Sequence, residues 1–320
     1  MLGTHQIAGR ALAVLAAVSM CFGEVGAGRR VPVHLKAAGL SRSALLYIPE
    51  SAGNGPSPLV IVLHGRFGSG GIVERELGFD SLAAEYGFLV AYPNGRHRGW
   101  NDGRTDAKSP RIQGQDAHVD DVAFLDALIA RIEGQYRIDR RRIFLAGHSN
   151  GAFMANRYAA ERPGTIAAVA SVAGTLGLAI LPSLHPSEPV SSLDVFGTLD
   201  HFIPPEGGEV IQHGGEVLGA NALSDWWAKQ DGCAPTAYVY PQTFGVFRRS
   251  HRGCPAGIGV ETISVLGQGH VWPGAPHESV WLTLAAGPEM HMLDATSAVW
   301  EFFAGHPKPA STARGVKRPI

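Results

Sequence analysis

Residues 142–161 read RIFLAGHSNGAFMANRYAAE, and this stretch decides the fold. Ile143, Phe144, Leu145 and Ala146 form a short apolar run, as expected of a strand buried on both faces. Gly147-His148-Ser149-Asn150-Gly151 then fits the pattern G-x-S-x-G, and a helical pattern follows over 150–161. In that setting the serine sits on a tight strand-to-helix turn with its hydroxyl exposed. A side chain at either glycine would crowd the neighbouring strand and helix. The helix N-terminus beneath stabilises negative charge that develops near the serine. Ser149 is therefore the candidate nucleophile.

Working outward, the chain alternates strand and helix. Strands are expected at 44–49, 58–64, 88–92, 142–146, 167–172, 193–197 and 260–266. Helices are expected at 79–86, 119–133, 150–161, 219–230 and 292–303. Strands separated by helices imply a mostly parallel sheet with helices on both faces, an α/β fold. The 320 residues contain 45% apolar and 17% charged residues, enough to build a core and too apolar for a disordered chain. Lys+Arg is 27 and Asp+Glu is 28, a net charge of −1 that gives no electrostatic case for nucleic acid.

The first 27 residues read as a secretory signal peptide. Arg10 precedes the apolar run 11–22, and Val25-Gly26-Ala27 offers small residues for cleavage after Ala27. An apolar run of about 12 residues is too short to cross a bilayer, so no stable membrane span is expected. Residues 28–305 are expected to form a single catalytic domain and 306–320 a flexible tail. Cleavage removes Cys21 and leaves Cys233 and Cys254. An even count in an exported protein reads as a disulfide, with two unpaired thiols as the alternative.

A serine hydroxyl needs a base, and the base needs an orienting carboxylate. Asp200 is the candidate acid: strand 193–197 runs into Gly197-Thr198-Leu199-Asp200. Asp194 precedes the apolar strand residues and Asp225 falls in a helix, so neither lies at a strand's C-terminal end. His270 is the candidate base, on a glycine loop directly after strand 260–266. Its rivals are His64, His148, His201, His277 and His291, none of which both follows the acid and ends a buried strand. The oxyanion hole needs two backbone N–H donors. Asn150 and Arg66 are the candidates, the latter in the glycine loop after strand 58–64. Asp116-Ala117-His118-Val119-Asp120-Asp121 has the composition of a metal cluster but is read as the cap of helix 119–133.

His64-Gly65, Tyr92-Pro93-Asn94-Gly95, Val119-Asp120-Asp121-Val122, Gly147–Gly151, Gly197-Thr198-x-Asp200, Cys233…Cys254 and Gly269-His270-x-Trp272-Pro273-Gly274 follow one another in order. Together they resemble the secreted polyhydroxybutyrate depolymerases and feruloyl esterases of the α/β-hydrolase superfamily, over about residues 40–305. The resemblance implies the α/β-hydrolase fold, a Ser149/Asp200/His270 triad and a Cys233–Cys254 bridge near the histidine loop. It departs from the family at Gly151-Ala152, where a double glycine is common. It departs again at Arg66-Phe67, which stands where a small residue often follows His-Gly, and at Gln268.

The expected activity is that of a secreted serine carboxylic-ester hydrolase on hydroxyalkanoate-type esters, monomeric and located in the periplasm or the medium. A feruloyl or acetylxylan esterase acting on plant cell-wall polysaccharide is the alternative. A non-catalytic carbohydrate or lipid binder on the same fold is a further one. No metal and no organic cofactor is expected. Trp272, Trp100 and Phe67 are expected at the substrate face, as platforms or walls.

Overall fold

The computed structural model describes residues 28–53, 55–104, 118–212, 214–276 and 286–309. Twelve strands and six helices are seen among these. The strands are β1 (Gly28–Ala37), β2 (Leu40–Pro49), β3 (Ser57–Leu63), β4 (Leu89–Pro93), β5 (Ile138–His148), β6 (Ala168–Val172), β7 (Ser191–Gly197), β8 (Gly207–Glu209), β9 (Glu216–Leu218), β10 (Ala237–Thr243), β11 (Val246–His251) and β12 (Val260–Val265). The helices are α1 (Gly70–Glu76), α2 (Phe79–Tyr86), α3 (Asp121–Glu133), α4 (Asn150–Glu161), α5 (Ala220–Gln230) and α6 (Ala295–Gly305).

Ten strands form one sheet in the order β1-β2-β4-β3-β5-β6-β7-β12-β11-β10. The middle of the sheet, from β4 through β12, is parallel, and antiparallel pairs extend it at both edges. This is the mostly parallel sheet with helices on both faces that the alternating pattern implies. All seven residues of β3 are buried, which is why the strand reads as a continuous apolar run. Its side chains alternate between two cores. Leu59, Ile61 and Leu63 join the core containing α3, α4 and α5 residues such as Leu125, Tyr158 and Trp227. Val60 and Val62 join the core with Phe79 of α2 and with Val299 and Phe303 of α6.

Of the polar cluster before α3, Asp116 and Ala117 lie outside the described residues, and the rest is a helix start. Asp120 caps it by accepting from Ala123 N at 2.9 Å. Asp121 pairs with buried Arg42 at 2.6 Å. Among the described residues, no group of three or more His, Cys, Asp or Glu is placed to hold a metal ion. Among the same residues no helix is long and apolar enough to cross a membrane. Cys233, just after α5, is joined to Cys254, just after β11.

Two expectations need comment. The signal peptide, residues 1–27, lies outside the described residues. The tail does not come free at His306. His306 Nδ1 sits 2.7 Å from Phe302 O, Lys308 N donates to Arg141 O at 2.8 Å, and the Lys308 ammonium is 3.1 Å from Glu188. A backbone bond and an ion pair hold the segment to the body, a contact that composition does not reveal. Residues 310–320 lie outside the described residues.

Candidate active site

β5 runs through His148, and α4 begins at Asn150, so a single residue makes the turn between them. Ser149 takes φ 53° and ψ −121°, a left-handed conformation costly for a residue with a side chain. Crowding on both sides enforces it. A Cβ on Gly147 would lie 2.2 Å from Gly151 O, and one on Gly151 would lie 2.4 Å from Leu63 O. Only glycine lets α4 start this close to β3 and β5. Ser149 N donates to Val172 O at 2.9 Å, tying the turn to the end of β6.

The loops after β7 and β12 bring the other two candidates to this turn. His270 Nε2 is 2.8 Å from Ser149 Oγ. His270 Nδ1 is 2.7 Å from Asp200 Oδ2. A carboxylate can only accept, so Nδ1 carries the proton and Nε2 accepts from the Ser149 hydroxyl. Asp200 is fixed in turn by Phe202 N and Ile203 N, which donate to its Oδ1 at 2.8 and 2.9 Å. Asp200 and His270 are both buried.

Two further imidazoles stand nearby. His148 stacks beside His270 with ring centroids 5.5 Å apart. Burial, helped by the electrostatic interaction with the neighbouring His270 ring, lowers its pKa to about 3. His64 braces the loop after β3: Nδ1 donates to Gly65 O at 2.7 Å, and Nε2 accepts from Gly95 N at 2.9 Å. Burial lowers its pKa to about 4. Both rings therefore stay neutral near neutral pH, and His270 is the imidazole in contact with Ser149.

A cavity of about 320 Å³ opens beside Ser149 and His270. Asn150, Arg66 and Phe67 border it, as does an apolar wall of Phe202, Ile203, Val210 and Ile211. Arg66 and Asn150 thus flank the serine from two elements, the loop after β3 and the first turn of α4. Phe67 is 53% exposed at the rim. Trp100 and Trp272 correct the expectation made for them. Both are fully buried and neither borders the cavity. Trp100 Nε1 donates to His64 O at 2.8 Å, and Trp272 Nε1 donates to Thr296 Oγ1 at 2.9 Å. Each indole N–H finds its partner inside the body, and the rings act as packing beneath the loops.

Sequence reasoning missed three parts of the site. Arg104 lines the cavity. The small β8–β9 hairpin region supplies Val210 and Ile211 to the apolar wall. The segment 286–291 clamps the loop that carries His270. His270 N donates to Ala286 O at 2.7 Å and Gly269 N to Pro288 O at 2.8 Å. Gln268, wholly buried, donates to Glu289 at 3.1 Å and accepts from Met290 N at 2.9 Å. Glu289 also accepts from Gly274 N at 3.2 Å, so it spans the base loop from one end to the other. The presence of Gln268 at a position where glycine is common was the available signal.

This arrangement has relatives. Residues 42–196 match the family described as Esterase PHB depolymerase. Over these residues, just under half of the chain, the sequence is similar to that esterase family. It is 29% identical over 242 residues to Feruloyl esterase B of Piromyces equi, covering 72% of this chain and 42% of that one. The chain thus spans less than half of the Piromyces protein. It is 26% identical over 271 residues to Feruloyl esterase C of Emericella nidulans, covering 82% of this chain and 83% of that one. Among solved structures, the acetyl xylan esterase from Aspergillus awamori has a TM-score of 0.55 at 16% identity, covering 75% of this chain and 94% of that one. Native sOPH has a TM-score of 0.56 at 17% identity, covering 89% and 90%. These structures share the α/β-hydrolase fold with the chain. The esterase relatives and the shared fold support a carboxylic ester hydrolase.

Proposed function

We propose that the chain is a secreted serine esterase that acts on hydroxyalkanoate-type esters through an acyl-enzyme. The observation that carries this reading is the linked chain Ser149–His270–Asp200, with contacts of 2.8 and 2.7 Å, at the cavity. Ser149 Oγ attacks the ester carbonyl carbon as His270 Nε2 takes the hydroxyl proton. Asp200 holds the ring in the required tautomer and stabilises the imidazolium. The N–H groups of Asn150 and Arg66 receive the oxyanion, with the N-terminus of α4 adding its partial positive charge. The tetrahedral intermediate collapses, and the alcohol leaves with the proton from His270. Water, deprotonated by the same imidazole, then releases the acid. The Cys233–Cys254 disulfide supports export, since such bonds persist in oxidising compartments.

The names of the relatives favour a second reading, a feruloyl or acetylxylan esterase. Initial rates on methyl ferulate, acetylated xylan and amorphous polyhydroxybutyrate separate the two. Ferulate or acetate release well above hydroxyalkanoate release would select the second. For the mechanism, Ser149→Ala is expected to keep the wild-type unfolding temperature and to lose at least about 10³-fold in kcat. Turnover surviving in that variant would sink the nucleophile assignment. Labelling by a fluorophosphonate at Ser149 separates an esterase from a non-catalytic binder on this fold.

A further inference from the structure

Two arginines border the cavity beside Ser149, Arg66 and Arg104. Arg104 is only 5% exposed, and its surroundings are built to hold it there. Its Nε donates to Asp102 Oδ2 at 2.9 Å, and its backbone N–H donates to Asp102 Oδ1 at 3.0 Å. Its guanidinium carbon lies 3.8 Å from the centre of the Phe153 ring. Asp102 also accepts from Asn150 Nδ2 at 2.6 Å, and Asn150 is the residue after the nucleophile. Arg104 is thus fastened to the first turn of α4, at a fixed place relative to Ser149. A guanidinium carries five N–H donors in a rigid fork. The Nε–H goes to Asp102, and the residue borders the cavity.

Arg66 approaches from the loop after β3. Burial and the neighbouring charge of Arg104 both lower the pKa of its guanidinium, against the opposing pull of Asp102. The two cations therefore feel one another. The Asp102 side chain is itself fully buried behind Arg104 and engaged there. Among the described residues, the acid that borders the cavity is Glu76, whose carboxyl is pushed up by burial, against the pull of Arg75. Burial thus works against its anionic form. Two cations share a partly dry wall, and a planar anion between them would relieve their repulsion with bidentate hydrogen bonds. The facing wall of Phe202, Ile203, Val210 and Ile211 suits a short aliphatic chain.

We propose that Arg66 and Arg104 bind a carboxylate on the substrate, so that the preferred substrates are ester acids, short hydroxyacid oligomers with a free acid end. The proposal deepens the reading of Ser149 as an esterase nucleophile and rests on it. It favours oligomer ends over polymer interiors, and acids over neutral esters.

The test uses wild-type protein and a trimer of 3-hydroxybutyrate, once as the free acid and once as the primary carboxamide. The two carry the same scissile esters and differ in one charge. The free acid is expected to show a kcat/KM at least about tenfold higher, carried mainly in KM. About 1 M salt should shrink that ratio. Arg104→Met should collapse the ratio toward unity. Because this variant removes a buried ion-pair partner and risks misfolding, the wild-type ratio decides on its own. Equal rates on acid and carboxamide, or a preference for the carboxamide, overturn the carboxylate site. If p-nitrophenyl butyrate is hydrolysed in that same outcome, the esterase reading survives. If wild-type protein hydrolyses none of the three esters, both readings fall together.

Discussion

Ser149 and His270 meet at 2.8 Å, yet the chain holds them in different ways. Ser149 is placed by a strand, a one-residue turn and a helix that are contiguous in sequence. Its position follows from main-chain packing, with glycines where β3, β5 and α4 touch. His270 sits on a loop held by a second loop, residues 286–291, through two backbone bonds and the Gln268–Glu289 clamp. One side is set by local geometry that admits no larger residue. The other is set by a few long-range hydrogen bonds that can each be removed. The two sides should therefore fail differently, one abruptly and one by degrees.

Gly151→Ala should break the nucleophile side. The added methyl would lie 2.4 Å from Leu63 O and 2.6 Å from His64 O, both backbone atoms at the centre of the sheet. Neither can move without shifting β3. A loss of more than about 4 kcal/mol is expected, seen in urea unfolding or as failure to obtain soluble protein. A variant with near-normal stability and turnover would show that the turn can relax.

Gln268→Ala should weaken the base side and leave the fold standing. The variant loses the bonds to Glu289 and Met290 N, while the backbone bonds from Gly269 and His270 remain. A fall of about tenfold in kcat is expected, with KM nearly unchanged, because the loss is in the alignment of the imidazole. Glu289→Gln keeps one acceptor oxygen for Gly274 N but sets an amide NH2 against Gln268 Nε2, so its kcat should fall between wild type and Gln268→Ala. An equal rise in KM, or no change in kcat, would mean that the clamp serves stability alone.

The same contrast explains what the sequence could and could not say. The element around Ser149 was legible because its cause is local: an apolar run, a G-x-S-x-G turn and a helical period sit within 20 residues. Asp200 was legible because a strand ends just before it. Strands β1 and β10 at the sheet edges, and β11 beside β10, were not read, since one-sided or exposed strands lack the continuous apolar run of β3. β10, for example, has no fully buried residue. Trp100 and Trp272 misled because a tryptophan near a site reads alike whether it lines the cavity or supports the loop. Only the partners of the indole N–H groups, His64 O and Thr296 Oγ1, distinguish the two. Arg104 could not be found from sequence, because its meaning depends on Asp102, Asn150 and Phe153 converging on it.

Asp194 and Asp200 carry the comparison onto the strand that bears the acid. Asp200 lies past the end of β7 and meets His270, while Asp194 lies within β7 and faces Ser171. Burial pushes the Asp194 carboxyl up to about 7, although the Ser171 hydroxyl opposes the shift. Its Oδ2 has no partner among the described residues. The folded state therefore binds this proton more tightly than the unfolded chain, whose carboxylates titrate near 3.8. The stability this group contributes is complete below about pH 4 and is lost as pH rises toward about 7 and beyond. Burial shifts Asp80 and Asp231 the same way, each to about 7. Wild-type protein should thus unfold at a lower temperature at pH 8 than at pH 5. Asp194→Asn removes one of the three titrations, so its unfolding temperature should fall less over that interval. Its kcat at a fixed pH should stay within about twofold of wild type, because the carboxamide is remote from the reacting atoms. A large loss of turnover in Asp194→Asn would mean that β7 couples this buried carboxyl to the acid loop. The base side would then depend on the strand beneath it as well as on the loop that covers it.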